Sequence, residues 1–208
     1  MEVIAMTRAK ITVISIVLLT AALPLAATAV TAPKTGTEYP DEIVVQGAEG
    51  PITLRVTGVG LREKTFLKVN IYTIVSYIAQ DAPLGDDPAV AIRTLDVPKL
   101  IQMDLLRSFS RQKLVDMLRE VIDKNYESTA AFETDLETFL AGFTRDAEKG
   151  DRIIFEYLPG RGLTTTLNGK VCTEIANPAF VEALWTVWFG EKPANEGLKR
   201  ALLSALDT

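Results

Sequence analysis

Histidine is absent from all 208 positions. With it go Ser-His-Asp and Cys-His catalysis, imidazole-ligated zinc and the side chain that ordinarily exchanges protons near neutral pH. Any chemistry must run on carboxylates, hydroxyls, phenols, amines and guanidinium groups. Cysteine is nearly absent too. Cys172 stands alone, so no intrachain disulfide can form, which favours a bacterial periplasmic setting over that of a secreted animal domain. No P-loop and no Asp-x-Asp-x-Asp-Gly calcium loop occurs, and Gly58-Val59-Gly60 is only a fragment of a dinucleotide fingerprint. The expectation is therefore no cofactor and no metal. An excess of basic charge is also lacking. Of 22 basic and 27 acidic side chains, Arg8, Lys10 and Glu2 fall in the first 29 residues, which leaves 20 against 26 and a formal charge of −6. That balance argues against nucleic acid as a partner.

What is present begins with an export segment. Arg8 and Lys10 form a positive stretch, Ile11 to Leu25 carries no charge, and Ala27-Thr28-Ala29 has the small-x-small pattern of a cleavage site. The apolar run is shorter than the ~20 residues of a spanning helix, and Pro24 breaks its end. Residues 1–29 therefore read as a cleavable signal peptide, with no stable membrane anchor after cleavage and a periplasmic destination. Residues 30–41, rich in Pro, Thr and Gly, read as a flexible lead-in. The remainder, 42–208, has the size of one domain with its own core.

Periodicity divides that domain into strands, helices, strands and helices. Glu42–Val45, Ile52–Val59 and Phe66–Ile78 read as strands, and Val90–Leu95 and Leu100–Leu106 as shorter ones. Leu114, Met117, Leu118, Val121 and Ile122 form one helical stripe behind an N-cap at Ser110. A second helix, opening near Ser128 or Thr129, carries Phe132, Leu136, Phe139, Leu140 and Phe143 as a core-facing stripe. Three strands follow, 152–158, 163–167 and 170–175, the last two joined by Asn168-Gly169, a hairpin signal. Asn177-Pro178 opens a helix that Gly190 ends, and a last helix holds Leu198, Leu202 and Leu206. Hairpin turns between runs of strands indicate an α+β fold with a largely antiparallel sheet. Trp185 and Trp188 read as core, Cys172 as a buried inert thiol, and the acidic run from Glu133 to Glu137 as a solvated face.

The stretch from Gly58 to Tyr72 is the richest in polar chemistry. On an unbroken strand Lys68, Asn70 and Tyr72 share one face and Leu67, Val69 and Ile71 the other, with Arg62 and Lys64 of the same parity as the polar set. Two readings stay open at this level: the wet side of a half-buried strand, or a polar cluster turned into a cleft. A bulge near Lys64 would alter the parity of Arg62.

The ordered set Gly58-x-Gly60-x-Arg62-x-Lys64, Lys68-Val69-x-x-Tyr72, Tyr77, Tyr157-x-Pro159-Gly160-x-Gly162, Asn168-Gly169, Phe180, Ala183-Leu184, Trp188-Phe189-Gly190 and Pro193 resembles the chalcone isomerase-like domain. The resemblance runs from about Glu42 to Leu203. It implies an open-faced β-sandwich, a large antiparallel sheet covered by a layer of helices, with a ligand cleft between the two. It also implies two alternative uses of the cleft. In members that bind fatty acids, an Arg and a Tyr of the next strand hold the carboxylate, and Arg62 and Tyr72 match them. In members that cyclise chalcones, an intramolecular lyase reaction, the Arg is joined by a Thr, a Tyr and an Asn. Here the Thr position falls on Asn70, and the helix positions fall near Phe109 or Ser110 and near Asp116. The expected ligand-binding residues are thus Arg62, Tyr72 and Asn70; Arg62 and Asn70 would be catalytic in an isomerase. Binding of a small apolar carboxylate is ranked first, turnover of a phenolic or enone ligand second, and a structural envelope protein with a collapsed cleft third.

Overall fold

The computed structural model describes residues 28–64 and 69–206. The segment read as an export signal, up to residue 27, and Lys68 of the polar cluster lie outside the described residues. Seven strands form one antiparallel meander: β3 (Glu42–Gly47), β4 (Gly50–Lys64), β5 (Val69–Ala79), β6 (Lys99–Leu105), β7 (Arg152–Leu158), β8 (Gly162–Leu167) and β9 (Lys170–Ile175), each paired with the next. Helices α1 (Pro88–Thr94), α2 (Arg111–Asn125), α3 (Glu133–Ala141), α4 (Pro178–Phe189) and α5 (Glu196–Leu203) complete the α+β architecture. The sheet curls around the helical layer as a half-barrel, which is the fold class the sequence implies. Ser110 caps α2, accepting from the Lys113 amide at 3.3 Å, and Leu114, Leu118 and Ile122 face inward. The sequence of α4 is apolar on nearly every side, and the helix is correspondingly enclosed: Phe180, Leu184, Trp185 and Trp188 are at most 1% exposed. No described helix is long and apolar enough to cross a membrane.

The Gly-x-Gly of β4 has a packing reason. A Cβ on Gly58 would collide with the backbone of Ala201 and Leu202, and one on Gly60 with the Leu198 side chain. Glycine therefore lets α5 lie directly on the sheet. Thr57 bolts it there, its hydroxyl donating to the Leu202 carbonyl at 2.8 Å while its own carbonyl accepts from the Ala205 amide at 3.1 Å.

Three expectations need correction. Val90–Leu95 is not a strand: Asp87 accepts from the Val90 amide at 3.0 Å and Pro88 takes the first helical position, so a helix-start signal overrides the β preference of Val90 and Ile92. The second helix opens at Glu133, with Ser128 and Thr129 spent on the preceding turn. Residues 30–41 are not a loose lead-in. Strands β1 (Ala29–Thr31) and β2 (Glu38–Pro40) pair as a hairpin, which buries Ala32 and Tyr39. The Tyr39 phenol shares a 2.7 Å hydrogen bond with the Thr73 hydroxyl and donates to Asp104 Oδ2 at 2.8 Å, tying the hairpin to β5 and β6.

Among the other residues singled out, Cys172 is not buried as expected: it is half-exposed on the edge strand β9, where its thiol stands 3.6 Å from the Lys170 carbonyl. Glu133 and Glu137 both reach Arg119, at 2.9 and 3.4 Å. Lys99 is 2% exposed, yet its ammonium donates to the carbonyls of Ile92, Arg93 and Leu95 at 2.9, 3.0 and 3.1 Å, closing the C-terminus of α1. Burial lowers its pKa to about 8, against a partial upward pull from Glu182 and Asp96.

Candidate functional site

A cleft of about 380 Å³ opens where β4, β5 and β6 face α2, α4 and the segment after α4. Its walls are mostly apolar: Ile71 and Met103 from the sheet, Leu114, Leu118 and Val121 from α2, Val187 and the Trp188 ring from α4, and Pro193 and Ala194 beyond. The volume lies within the range usual for sites that enclose a small molecule.

Arg62 and Tyr72 are brought together by strand register. They are direct cross-strand partners of β4 and β5, so their side chains leave the sheet on the same face, and both line the cleft. Arg62 is half-buried and donates through Nη1 to the Glu63 carbonyl at 2.6 Å, which fixes one edge of the guanidinium. Among the described residues no carboxylate lies within ion-pair distance of it. A half-buried cation beside an apolar cavity without an acidic partner is electrostatically suited to an anion from outside. Tyr72 is 5% exposed. Its phenol is pushed up in pKa, first by burial; the Arg62 charge and the Trp188 indole pull in the opposite direction. It is therefore a neutral hydrogen-bond donor at any ordinary pH.

Asn70 is not on the cleft wall. The pairing moves from Arg62↔Tyr72 to Glu63↔Asn70, which leaves Ile71 as an extra residue in β5. That irregularity breaks the strict alternation on which the shared face of Asn70 and Tyr72 depended, and Ile71 lines the cleft instead. On α2, Phe109 just before the helix reaches the cleft, whereas Ser110 and Asp116 do not.

Two features escape a reading by periodicity. The exposed stripe of α2, Lys113, Met117, Glu120 and Lys124, forms one rim of the cleft, and exposed Lys64 another. Glu120 is paired with Lys124 at 2.5 Å, and the Lys113 ammonium stands 5.7 Å from the Phe109 ring centroid, so the mouth is cationic although the chain is acidic. The second feature is Trp188. It is core, as its spacing from Trp185 implies, but one side of it is also wall. Its Nε1 is buried and turned to the Tyr72 phenol oxygen, an interaction that opposes the effect of burial on that phenol.

A family model described as chalcone isomerase-like matches residues 32–204, a span that takes in most of the N-terminal hairpin as well as the sheet and helices. No curated protein matches the sequence. Among solved structures, that of a fatty-acid binding protein of Arabidopsis thaliana aligns with a TM-score of 0.69, covering 86% of this chain and 97% of that chain at 18% identity. A likeness at that identity is one of fold.

Proposed function

The chain belongs to the chalcone isomerase-like family, and we propose that this protein is a binder rather than a catalyst. Its cleft takes up a fatty acid or a similar small apolar carboxylate, with Arg62 and Tyr72 at the polar end and the apolar walls around the chain. One observation carries the reading: a guanidinium with no acidic partner among the described residues and a buried phenol are register partners opening onto the same apolar cavity. A guanidinium offers a carboxylate two parallel N–H donors, and a phenol satisfies a further lone pair. The Arabidopsis neighbour of the same fold, described as a fatty-acid binding protein, supports that choice of ligand.

Cyclisation of a chalcone or related enone has less support. Burial holds the Tyr72 phenol neutral, Asn70 is off the wall, and neither Ser110 nor Asp116 reaches the cleft, so the positions that the resemblance assigns to the isomerase network place no partner beside Arg62. Export to the periplasm belongs to the same proposal, from the composition of residues 1–29.

Native mass spectrometry of protein purified from its own host tests both parts. The expected mass is that of a chain starting at Val30 plus a bound fatty acid, and the ligand is missing in Arg62→Ala. An empty wild-type protein, or the same ligand load in Arg62→Ala, overturns the binding assignment. A mature chain that retains Met1 overturns the cleavage.

A further inference from the structure

We propose that the rim of the cleft is a docking surface for an anionic lipid bilayer, so that the cleft opens onto the membrane from which an apolar acid is drawn. The inference rests on the binding reading above for its purpose and on separate residues for its support. Lys113, Met117, Glu120 and Lys124 follow one another along α2 at intervals of four, three and four residues. Those intervals keep the four side chains on one narrow line of the helix, about 16 Å from end to end. All four are exposed and border the cleft, and exposed Lys64 borders it from the end of β4. The nearby acids are neutralised or turned elsewhere. Glu120 is taken by Lys124 at 2.5 Å and Glu63 by Lys34 at 2.7 Å. Asp116, to which the Gln112 amide donates at 2.7 Å, does not border the cleft, and neither does Asp123. Among the described residues no carboxylate lies within ion-pair distance of Lys64 or Lys113.

Charge and apolarity together select the occupant. A second copy meeting this face with its own would set one cationic rim against another, which repulsion opposes. An acidic protein would match the lysines but gives no reason for an apolar opening between them. An anionic bilayer accounts for both, with a plane of negative head groups for the lysines and hydrocarbon beneath for the soft thioether of Met117. The rest of the chain sets the orientation. With 27 acidic and 22 basic side chains it is repelled by an anionic plane over most of its surface, so the rim is the face that approaches. A ligand crossing from lipid to cleft then keeps its alkyl chain out of bulk water, and its carboxylate passes from the rim lysines to Arg62 and Tyr72.

The test is co-sedimentation of the delipidated full mature chain with two kinds of vesicle, phosphatidylcholine alone and phosphatidylcholine with phosphatidylglycerol in equal parts. The expected result is binding to the mixed vesicles at low salt, none to phosphatidylcholine alone, and loss of binding above physiological ionic strength. Lys64→Gln and Lys113→Gln each weaken binding about fivefold, and the double variant about 25-fold. Lys170→Gln removes the same charge from the exposed start of edge strand β9 and leaves binding within about twofold of wild type. A loss as large in Lys170→Gln as in Lys113→Gln is an effect of overall charge and overturns the inference. So does a wild type that sediments equally with both vesicles or with neither, and one that ignores vesicles and elutes as a dimer gives the rim to a second copy instead. Titration calorimetry of the wild type with dodecanoate reads the cleft separately. Dodecanoate bound without vesicle docking defeats this inference alone, and docking without dodecanoate binding defeats the binding reading alone.

Discussion

Replacing Arg62 with glutamine removes the charge and keeps a polar side chain of similar reach, which makes it the sharpest single perturbation of the cleft. Hydrogen bonds to a charged group contribute about 1.5–3 kcal/mol each, and breaking a fully buried charge pair costs about 2–5 kcal/mol or more. Arg62 is only half-buried, and solvent screening discounts such pairs. One guanidinium edge is moreover committed to the Glu63 carbonyl. The lower end applies: about 2 kcal/mol, or roughly a 30-fold weaker Kd for dodecanoate. Arg62→Lys keeps the charge and loses the fork, so its loss lies between wild type and glutamine. Calorimetry at pH 8, where the acid is ionised, measures all three. Saturated acids of increasing length give an internal check, since each further methylene gains about 0.8 kcal/mol, nearly fourfold, until the cavity is full. Tyr72→Phe combined with Arg62→Gln completes a double-mutant cycle, and groups that grip one head group must be non-additive. Strict additivity, or an Arg62→Gln protein binding dodecanoate within a factor of two of wild type, refutes the idea of a shared polar end.

Three further outcomes follow from the same structure. Gly58→Ala must lift α5 from β4, because the new methyl overlaps the Ala201 and Leu202 backbone; overpacking of this kind costs about 1–3 kcal/mol, so thermal unfolding falls by several degrees, whereas Gly85→Ala, with open space around it, shows only the smaller penalty of its positive φ. Lys99 has a folded-state pKa of about 8, below its unfolded value of 10.5; the folded chain sheds that proton first, so the burial cost is borne in full below pH 8 and is relieved as pH rises toward 10.5. Urea titrations of wild type minus Lys99→Met between pH 7 and 9.5 must show a positive slope with pH, part of a full span of about 3 kcal/mol. Charge reversal of exposed Lys64 and Lys113 at the cleft mouth slows capture of an anionic ligand at low salt in stopped-flow measurements, and the difference shrinks above physiological ionic strength.

The cationic mouth of the cleft stands on an otherwise acidic protein. A net-negative chain repels anionic ligands at long range, and a local cluster of lysines around one opening focuses their approach there. Met117, 36% exposed between Lys113 and Glu120, adds a soft apolar surface at the same edge, suited to a passing alkyl chain.

Much of this was legible in the residues, and the reasons differ from element to element. The Asn168-Gly169 hairpin, the Ser110 cap and the Asn177-Pro178 start are local signals whose geometry is set within a few residues, and each stands where the sequence places it. The α1 segment shows the converse: Val90 and Ile92 favour a strand by type, and the cap at Asp87 with Pro88 wins. The N-terminal hairpin was hidden because its stability is not local. Tyr39 becomes a core residue only when Thr73 and Asp104 come from strands far along the chain. The sequence by itself determined the α+β class, the family and the exclusion of histidine chemistry, since composition, periodicity and ordered motifs need no coordinates; that Arg62 and Tyr72 work as a pair was only what the resemblance implied, and strand register places them side by side. Tertiary structure alone decided that Ile71 displaces Asn70 from the cleft, that Gly58 and Gly60 serve the seat of α5, and that the Trp188 indole meets the Tyr72 phenol. Register shifts, close backbone approach and side-chain contacts between elements are properties of two segments meeting, and neither segment carries them alone.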